Sequence, residues 1–430
     1  MGRSKINILE LEKPERNRNQ RKKKTNADKP KIESRFMNNN KKSKATDLFF
    51  DNRLVRVWSP EVNEEKDIVR NLRGLSKLPD VYPYISIMPD YHIGESSVNG
   101  SIIPTRNTLI VNSIGGDIGC GISFSQLPFS QSDLDSNKLE RIYKGIYAAV
   151  PTGRRFDSRI TLSALENPVF NSELGILNGK NKKVAMQQLG SLGGGNHFIE
   201  IQADEDGRLG VMIHTGSRGL GQMIRGKFIA QGAEDKRSGA VTLDANEDMG
   251  RDYYDHVKLA EQYAVENRNE ILERVYQVFC DELGYDPTRG SEDLTRGRID
   301  VGHNHISKEK HFGEDLYVHR KGAVRLEEGE LGLIPGSMGT LSYIVRGTGN
   351  KYSFSSTSHG AGRVMSRGEA FRKVSRSAFT KAMGGILSRK DDSILDEAPQ
   401  AYKDINEVLS YQKDLAKVVK KLRPLASIKG

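Results

Sequence analysis

Four glycine-rich turns, each carrying a metal-ligand or nucleophile side chain, constrain the fold of this chain more than any other feature. They occupy residues 115–121, 193–197, 214–219 and 359–363, and their reactive side chains include aspartate, cysteine and histidine. Glycine lets a backbone approach a ligand closely and adopt conformations that other residues rarely reach. A chain that repeats this arrangement four times is expected to fold so that several loops meet around one site.

The turns supply a candidate set of metal ligands. Asp117 and Cys120 stand three residues apart on a tight turn, so both side chains can reach one ion, while His197 and His214 each adjoin a predicted strand. His303, from a Gly-His-Asn-His sequence, completes the set. Thiolate, imidazole and carboxylate together favour a transition metal over Ca²⁺, and two ions would leave open positions for phosphate oxygens. The alternative is that each histidine is a hydrogen-bonded core residue, but the ensemble favours metal.

His359 is the candidate nucleophile. A neutral imidazole nitrogen can attack an α-phosphate to form a phosphoramidate, and the backbone amides of residues 360–362 would face the anion. The alternative is that His359 is one more metal ligand.

The sequence does not match two other nucleotide-binding motifs. Residues 221–228 nearly spell a Walker A loop, but Phe228 replaces the hydroxyl that binds Mg²⁺, and the Lys-x-Asp-Gly motif of lysine-dependent ligases does not occur.

Hydrophobic periodicity predicts a mixed α/β fold. Short β-branched runs predict strands at residues 81–88, 101–103, 108–111, 198–201 and 211–213. Apolar residues at three- and four-residue spacing predict a long helix over 251–282. Further helical patterns cover 363–387 and 401–422, before a short strand-like segment at 425–429. Because no interior linker divides this region, residues 47–430 are predicted to form a single compact catalytic body with glycine-rich active-site loops.

The net charge of +10 comes from one end of the chain. Residues 1–46 hold 15 Lys and Arg against 5 Asp and Glu, whereas residues 47–430 hold 51 of each kind. The first 46 residues show almost no apolar periodicity, so we predict a disordered basic arm. Two interpretations stay open: a phosphate-binding arm that raises affinity by counterion release, or a solvated tail that keeps the protein soluble.

The sequence also argues against a membrane protein. Its apolar runs fall far short of the roughly 18 residues needed to cross a bilayer, and the N-terminus lacks the apolar core of a signal peptide. Two cysteines are too few for a disulfide framework. We therefore expect a soluble protein of the cytoplasm.

Seven motifs follow one another along the chain in a specific order. They are Met-Pro-Asp-Tyr-His at 88–92, Gly-Asp-Ile-Gly-Cys-Gly at 116–121, Leu-Gly-Gly-Gly-Asn-His-Phe-Ile-Glu at 192–200, His-Thr-Gly-Ser-Arg-Gly at 214–219, Val-His-Arg-Lys-Gly-Ala at 318–323, Ile-Pro-Gly-Ser-Met-Gly-Thr at 334–340 and His-Gly-Ala-Gly-Arg at 359–363. Together they resemble the RtcB family of GTP-dependent RNA ligases. The resemblance extends from about residue 48 to the C-terminus, where Ala-Tyr-Lys at 401–403 and the final Lys-Gly resemble the family's ending.

The resemblance implies an activity and its cofactors. The enzyme would join an RNA 3′-phosphate, or a 2′,3′-cyclic phosphate after hydrolysis, to a 5′-hydroxyl end in tRNA splicing or RNA repair. GTP and two Mn²⁺ ions would be the cofactors, and a covalent histidine–GMP adduct would lead to an activated RNA(3′)pp(5′)G end. Family analogy also implies a monomer, while the RNA itself and any activating partner are not identified.

The same resemblance assigns a role to each matching position. His359 would carry GMP. The metal ligands would be Asp117, Cys120, His197, His214 and His303. Guanine would be held by Glu200, Tyr402 and Lys429. The nucleotide phosphates and sugar would be contacted by Asn196, Ser337, Gly360, Ala361 and Gly362. The substrate phosphate would be met by Arg218 and Asn304.

Two departures and two alternatives accompany this hypothesis. Glu95-Ser96 stands where common members have a second glycine, and Gly116 replaces a frequent valine. These changes could alter the handling of RNA ends without removing the metal site. One alternative is a metal-dependent RNA-end phosphohydrolase that is insensitive to GTP. The other is a non-catalytic RNA-binding factor, which would show salt-sensitive binding and no nucleotide labelling.

Overall fold

The computed structural model describes residues 44–50, 53–62, 65–78, 80–94, 97–236, 238–286 and 297–430. The basic arm predicted for residues 1–46 lies outside the described residues except for its last three positions, and the departure at residues 95–96 lies outside them as well. Both therefore stay predictions. The first described strand begins at Thr46, at the boundary expected between arm and body.

Strands and helices alternate irregularly along the described chain. The strands are β1 (Thr46–Phe50), β2 (Arg53–Val57), β3 (Tyr84–His92), β4 (Asn99–Thr105), β5 (Thr108–Ile110), β6 (Gly121–Ser130), β7 (Phe198–Asp204), β8 (Arg208–Thr215), β9 (Ala233–Asp235), β10 (Ala240–Asp244), β11 (Ile299–Gly302), β12 (Asn304–His311), β13 (Glu314–Lys321), β14 (Ala323–Arg325), β15 (Leu331–Ile334), β16 (Ser342–Gly347), β17 (Ser356–Ser358), β18 (Leu387–Ser388) and β19 (Ala416–Lys429). The α-helices are α1 (Lys66–Leu75), α2 (Ser136–Ala149), α3 (Leu162–Glu166), α4 (Gly179–Gln188), α5 (Gly219–Gln231), α6 (Asp248–Leu283), α7 (Arg367–Lys373), α8 (Arg376–Ala382) and α9 (Ile405–Tyr411). Short 3₁₀ helices lie at Gln131–Asp133, Pro168–Asn171, Lys351–Ser353, Asp392–Glu397 and Pro399–Ala401.

Two large sheets carry the functional residues. One has the strand order β1-β2-β3-β4-β13-β12, with β2 and β3 parallel and the other neighbours antiparallel. The other has the order β11-β6-β8-β7-β19-β16-β15, with β18 parallel to β19 beside this path. A small sheet, β5-β10-β9, and the ribbon of β14 and β17 complete the described strands. The predicted α/β class is confirmed.

The long helix α6 covers one face of the second sheet. Its Ile271, Val275 and Phe279 share a core with buried residues of β7, β8, β19 and α2. Each such side chain stabilises the fold by about 1.5–3 kcal/mol when fully buried. Gly284, with φ +64°, ends the helix in the left-handed conformation that glycine favours. The helix predicted over 251–282 is confirmed.

The predicted strands are also confirmed, but two helix predictions are wrong. Residues 363–387 form only the short helices α7 and α8, which begin at the separate caps Ser366 and Ser375. The helix expected over 401–422 is confined to α9, because β19 already begins at Ala416 and pairs with β7 and β16. Long-range pairing therefore overrides the helical spacing of this segment. Pro424 is accommodated at a register shift in the pairing with β7.

The Walker-like segment 221–228 lies inside α5, so it forms no phosphate loop. His256 is fully buried on α6 beside the Phe228 ring, as expected for a structural histidine. Within the residues that the structure describes, no helix combines the length and the apolar character that crossing a membrane requires.

Candidate active site

The ends of neighbouring strands bring the predicted metal ligands together. Four neighbouring strands of the second sheet, in the order β11-β6-β8-β7, each carry one ligand at or beside an end. His303 directly follows β11, Cys120 directly precedes β6, His214 lies near the end of β8, and His197 directly precedes β7. The register places His214 opposite the start of both β6 and β7. Antiparallel pairing thus gathers residues that are up to 183 positions apart, from Cys120 to His303, at one edge of the sheet.

The ligand atoms form two groups that share one sulfur. Cys120, His214 and His303 form the first group, and Asp117, Cys120 and His197 form the second, with the ligand atoms of each group within 4.8 Å of one another. The Cys120 Sγ lies 3.3 Å from Nε2 of His214 and 3.5 Å from Nε2 of His197. Nε2 of His197 lies 2.9 Å from Oδ2 of Asp117. Each group offers three donor atoms of the kinds that bind transition metals, so these five residues would fit two ions.

The chemistry of these side chains also fits a metal. Burial lowers the pKa of His214 and His303 well below the ordinary value, so both imidazoles are neutral, which is the form that binds metal. Burial raises the pKa of the Cys120 thiol well above its ordinary value, and only a cation would favour its thiolate at neutral pH. Among the described residues, Nδ1 of His197 and Nδ1 of His303 are buried without a hydrogen-bond partner.

Arg268 of α6 holds the ligand loops in place. Its guanidinium donates to the carbonyl oxygens of Gly119 and Thr215, the residues beside Cys120 and His214. It also forms a bidentate ion pair with Asp300 of β11, at 2.6 and 2.8 Å. One buried side chain therefore connects three ligand-bearing segments, an arrangement that orients metal ligands. The sequence prediction missed this residue because the spacing of α6 marks it only as part of a buried helix face.

His359 lies beside the metal-ligand cluster and is held by Asp90. Nδ1 of His359 lies 2.6 Å from Oδ2 of Asp90, and the same oxygen accepts from the backbone amides of His359 and Gly360. The ring centroids of His359 and His303 are 4.8 Å apart. Because Nδ1 is engaged, Nε2 is the nitrogen left to react. The Met-Pro-Asp-Tyr-His motif contained Asp90, but nothing in its spacing indicated this role.

A cavity of about 1210 Å³ extends from His359 and His214. The cavity is lined by all the residues to which the family resemblance assigned a nucleotide contact: Asn196, Glu200, Ser337, Gly360, Ala361, Gly362, Tyr402 and Lys429. Gly362 has φ +74°, and a Cβ there would lie 2.1 Å from the Asp90 carbonyl oxygen, so the loop can pass this close only with glycine. The size of the cavity is sufficient for a nucleotide.

Glu397 organises the far end of this cavity. Its Oε2 accepts from the Tyr402 hydroxyl at 2.7 Å and from Nζ of Lys429 at 2.9 Å. Its Oε1 accepts from Arg363 at 3.2 Å, and the Arg363 guanidinium lies 5.0 Å from the centre of the Tyr402 ring. Glu397 belongs to a short 3₁₀ helix without a recognisable motif, so no sequence pattern indicated its role.

Glu200 is another buried carboxyl that lines the cavity. It lies on β7 opposite Ser427 of β19, and it accepts from the Gln202 amide at 2.8 Å. Burial raises the pKa of Glu200 to about 7, although Lys429 acts in the opposite direction. Glu200 is thus poised between a neutral and an ionised form near physiological pH.

Arg218 and Asn304 lie on the metal side and do not line the cavity. Arg218 donates to Oγ of Ser191 at 3.0 Å and to the carbonyl oxygen of Gly153 at 2.8 Å. Asn304 donates to the Asp117 carbonyl oxygen at 3.1 Å and accepts from the Gly322 amide at 2.9 Å. Asn304 therefore supports the ligand turn in this state.

The departure at Gly116 has no steric explanation in the structure. A Cβ at this position would lie 2.3–2.4 Å from the amide atoms of Gln222 on α5, but these atoms are the far end of an exposed, flexible side chain that can move aside. The neighbouring Asp117 keeps its place in the ligand cluster.

Comparison with known proteins gives a consistent result. A family model described as "tRNA-splicing ligase RtcB" matches residues 71–430. The chain is 38% identical over 409 residues to the RNA-splicing ligase RtcB of Escherichia coli (strain K12), covering 89% of this chain and 99% of that protein. It is 30% identical over 448 residues to the tRNA-splicing ligase RtcB of Archaeoglobus fulgidus, covering 85% and 92% respectively. All of the candidate site residues lie within the range matched by the family model.

Proposed function

The chain belongs to the RtcB family of RNA ligases, and from this membership and the site geometry we propose that it joins an RNA 3′-phosphate, or 2′,3′-cyclic phosphate, to a 5′-hydroxyl with GTP and Mn²⁺. The substrates would be cleaved RNAs such as tRNA halves. The same proposal describes a monomer that acts in the cytoplasm. The observation that carries it is the pairing of His359 with Asp90 beside the two ligand groups.

The first step uses Nε2 of His359 as the nucleophile. Asp90 accepts a hydrogen bond from Nδ1–H and so fixes the tautomer that leaves the Nε2 lone pair free. Nε2 bonds to the α-phosphorus of GTP, the bond to the bridging oxygen breaks, and pyrophosphate leaves. Asp90 also stabilises the positive charge that the imidazole gains when it becomes phosphorylated.

The later steps transfer GMP and release it. An oxygen of the RNA 3′-phosphate attacks the GMP phosphorus, which frees Nε2 and creates the RNA(3′)pp(5′)G end. The 5′-hydroxyl then attacks the RNA phosphorus, loses its proton and displaces GMP. Capping is needed because a bare 3′-phosphate has no good leaving group, whereas GMP is one. Arg218 and Asn304, on the metal side, would meet the substrate phosphate.

Asp117, Cys120, His197, His214 and His303 would hold two Mn²⁺ ions. When bound, the ions would neutralise phosphate charge and favour the Cys120 thiolate. At the other end, the ionised carboxylate of Glu200 would accept from the guanine ring NH and amino group, and Lys429 would donate to the guanine carbonyl. Adenine presents the opposite donor and acceptor pattern at these positions, so this arrangement supports selection of GTP over ATP.

Intact-mass measurement tests the proposal. The protein is mixed with GTP and Mn²⁺ at neutral pH, which preserves a phosphoramidate, and we expect the mass to increase by one GMP. The increase should vanish in His359→Ala, with ATP in place of GTP, and without metal. In Asp90→Asn the rate of labelling should fall by about 10²–10⁴-fold because the tautomer is no longer fixed. Absence of any adduct from metal-loaded wild-type protein would contradict the proposal.

A further inference from the structure

A loop beside the catalytic residues presents a basic and aromatic surface that the proposed reaction does not use. Arg154, Arg155 and Phe156 are exposed, and the Phe156 side chain leaves 42% of its surface in solvent. Among the described residues, no carboxylate pairs with Arg154 or Arg155, and the only side-chain hydrogen bond of Arg155 is to Thr152. We call residues 154–156 the Arg-Arg-Phe segment.

The backbone on both sides of this segment is anchored. On one side the Gly153 amide donates to the Gly193 carbonyl oxygen at 3.1 Å. On the other side the Asp157 amide donates to the Gln187 carbonyl oxygen at 3.2 Å, and the Asp157 carboxylate pairs with Arg274 at 3.1 Å. The Arg-Arg-Phe segment is thus held between two anchored points of the backbone, while its three side chains stay exposed.

The segment is joined directly to the predicted phosphate-binding side chain. Arg218 donates to the carbonyl oxygen of Gly153, the residue before Arg154. The backbone of residues 193–195, which leads to His197, runs alongside: a Cβ at Gly194 would lie 3.8 Å from the Gly153 Cα. On the opposite side, the guanidinium of Arg367 lies over Gly195.

We propose that the Arg-Arg-Phe segment binds the single-stranded RNA end that carries the 3′-phosphate. Phe156 stacks on a base close to this end, Arg154 and Arg155 contact backbone phosphates, and the terminal phosphate reaches Arg218. The inference rests on the proposed function, because that function supplies the 3′-phosphate end. Aromatic faces accept any base by stacking, and arginines that lack carboxylate partners attract phosphates, so the segment suits RNA of varied sequence.

Charge favours RNA over a protein partner as the occupant. The acidic residue next to the segment, Asp157, is neutralised by Arg274, and the basic residue Arg159 adds to the exposed charge. The strand with the 3′-phosphate is favoured over the 5′-hydroxyl strand because the segment is bonded to Arg218, the side chain expected to hold that phosphate.

Fluorescence anisotropy on the full chain tests this inference with a 3′-phosphorylated RNA of about ten nucleotides, within the usual site size. Phe156→Ala should weaken binding by about tenfold, the loss expected from one stacked base. The slope of log affinity against log salt should not change. The double variant Arg154→Ala/Arg155→Ala should reduce that slope by about 1.4, the value for two phosphate contacts on a single strand.

Matched controls are Phe49→Ala, which removes an equally exposed phenylalanine from β1, and Arg208→Ala, which removes an exposed arginine from β8. Both should bind RNA like wild type. Unchanged RNA binding by Phe156→Ala and by the double variant would overturn the inference. A protein partner would then be the favoured occupant of the segment. A loss confined to a 5′-hydroxyl strand with a blocked 3′ end would overturn the choice of strand.

GMP labelling in the absence of RNA separates this inference from the proposed function. Phe156→Ala should be labelled at His359 at the wild-type rate. If wild type is not labelled but Phe156→Ala still weakens RNA binding, the proposed function fails and the RNA-binding segment stands. If labelling is normal and RNA binding is unchanged in the variants, only the segment's role fails.

Discussion

The metal-ligand cluster and the far end of the cavity both bury ionisable side chains, but these side chains have different charge states. In the cluster, His214 and His303 are neutral and burial favours the protonated thiol of Cys120. At the far end, Glu397 is ionised and accepts from a lysine, an arginine and a tyrosine. The cluster is thus completed by an incoming cation, whereas the far end is already balanced by the protein.

This difference predicts how each end responds to damage. Removing one neutral ligand leaves no uncompensated charge in the metal-free protein, so the loss of a ligand should affect activity more than folding. A charge network without one partner leaves uncompensated charges in a buried place, so its loss should affect folding strongly. Three experiments, from the largest expected effect to the smallest, test the contrast.

Cys120→Ser should remove both metal sites, because the one sulfur belongs to both ligand groups. The rate of GMP labelling should fall by about 10³-fold or more, in line with the several kcal/mol that a metal contributes to charge stabilisation. Metal analysis after dialysis should find both ions lost. Cys280→Ser, at the other buried free cysteine, is the matched control and should keep both ions and activity. Retention of one full metal equivalent by Cys120→Ser would contradict a role for Cys120 in both ligand groups.

Glu397→Gln should lower the free energy of unfolding by about 3 kcal/mol, because Lys429 and Arg363 then lose their common counter-charge. Urea denaturation measures the change. The control Glu369→Gln removes a carboxylate that pairs with Lys373 in solvent on α7, and it should change the free energy of unfolding far less than Glu397→Gln does. Similar small losses in both variants would show that the far end does not depend on its charge balance.

The pH dependence of nucleotide binding should report on Glu200. With a pKa of about 7, raised by burial, the carboxyl is mostly protonated at pH 6 and mostly ionised at pH 8. Since only the ionised form accepts both guanine donors, GTP affinity should rise by about tenfold across this range. Glu200→Gln should bind weakly and without this pH dependence. Calorimetric titration at several pH values measures it, and a flat wild-type profile would contradict the assignment.

The same pKa shift affects folding in the opposite direction. The folded-state pKa of Glu200 lies above the unfolded value, so the unfolded chain releases its proton at lower pH than the native protein does. The stability contributed by the protonated form is complete below the unfolded pKa and is lost as pH rises through about 7. Guanine binding as proposed would therefore be tightest at a pH at which the protonated Glu200 no longer contributes stability.

Local sequence signals predicted the parts of the site that depend on short segments. The glycine-rich turns indicated Asp117 and Cys120 because ligand and turn lie within a few residues, and the spacing of α6 indicated a long buried helix. The end of the C-terminal strand was predicted at 425–429, but residues 416–422 were predicted as helix because β19 depends on pairing with β7 and β16, which lie far away in the sequence. Glu397 escaped because its partners come from three separate segments, and only the folded chain brings them together.

Arg268 should also determine how slowly the backbone around the metal-ligand cluster moves. Because one guanidinium holds the backbone beside Cys120 and His214 and also the strand that leads to His303, these three segments are coupled. Opening of any one of them would break contacts of the same buried side chain, and concerted openings of this kind are slow and rare. The backbone positions of the ligand-bearing segments would therefore persist for long times, with or without an ion between them.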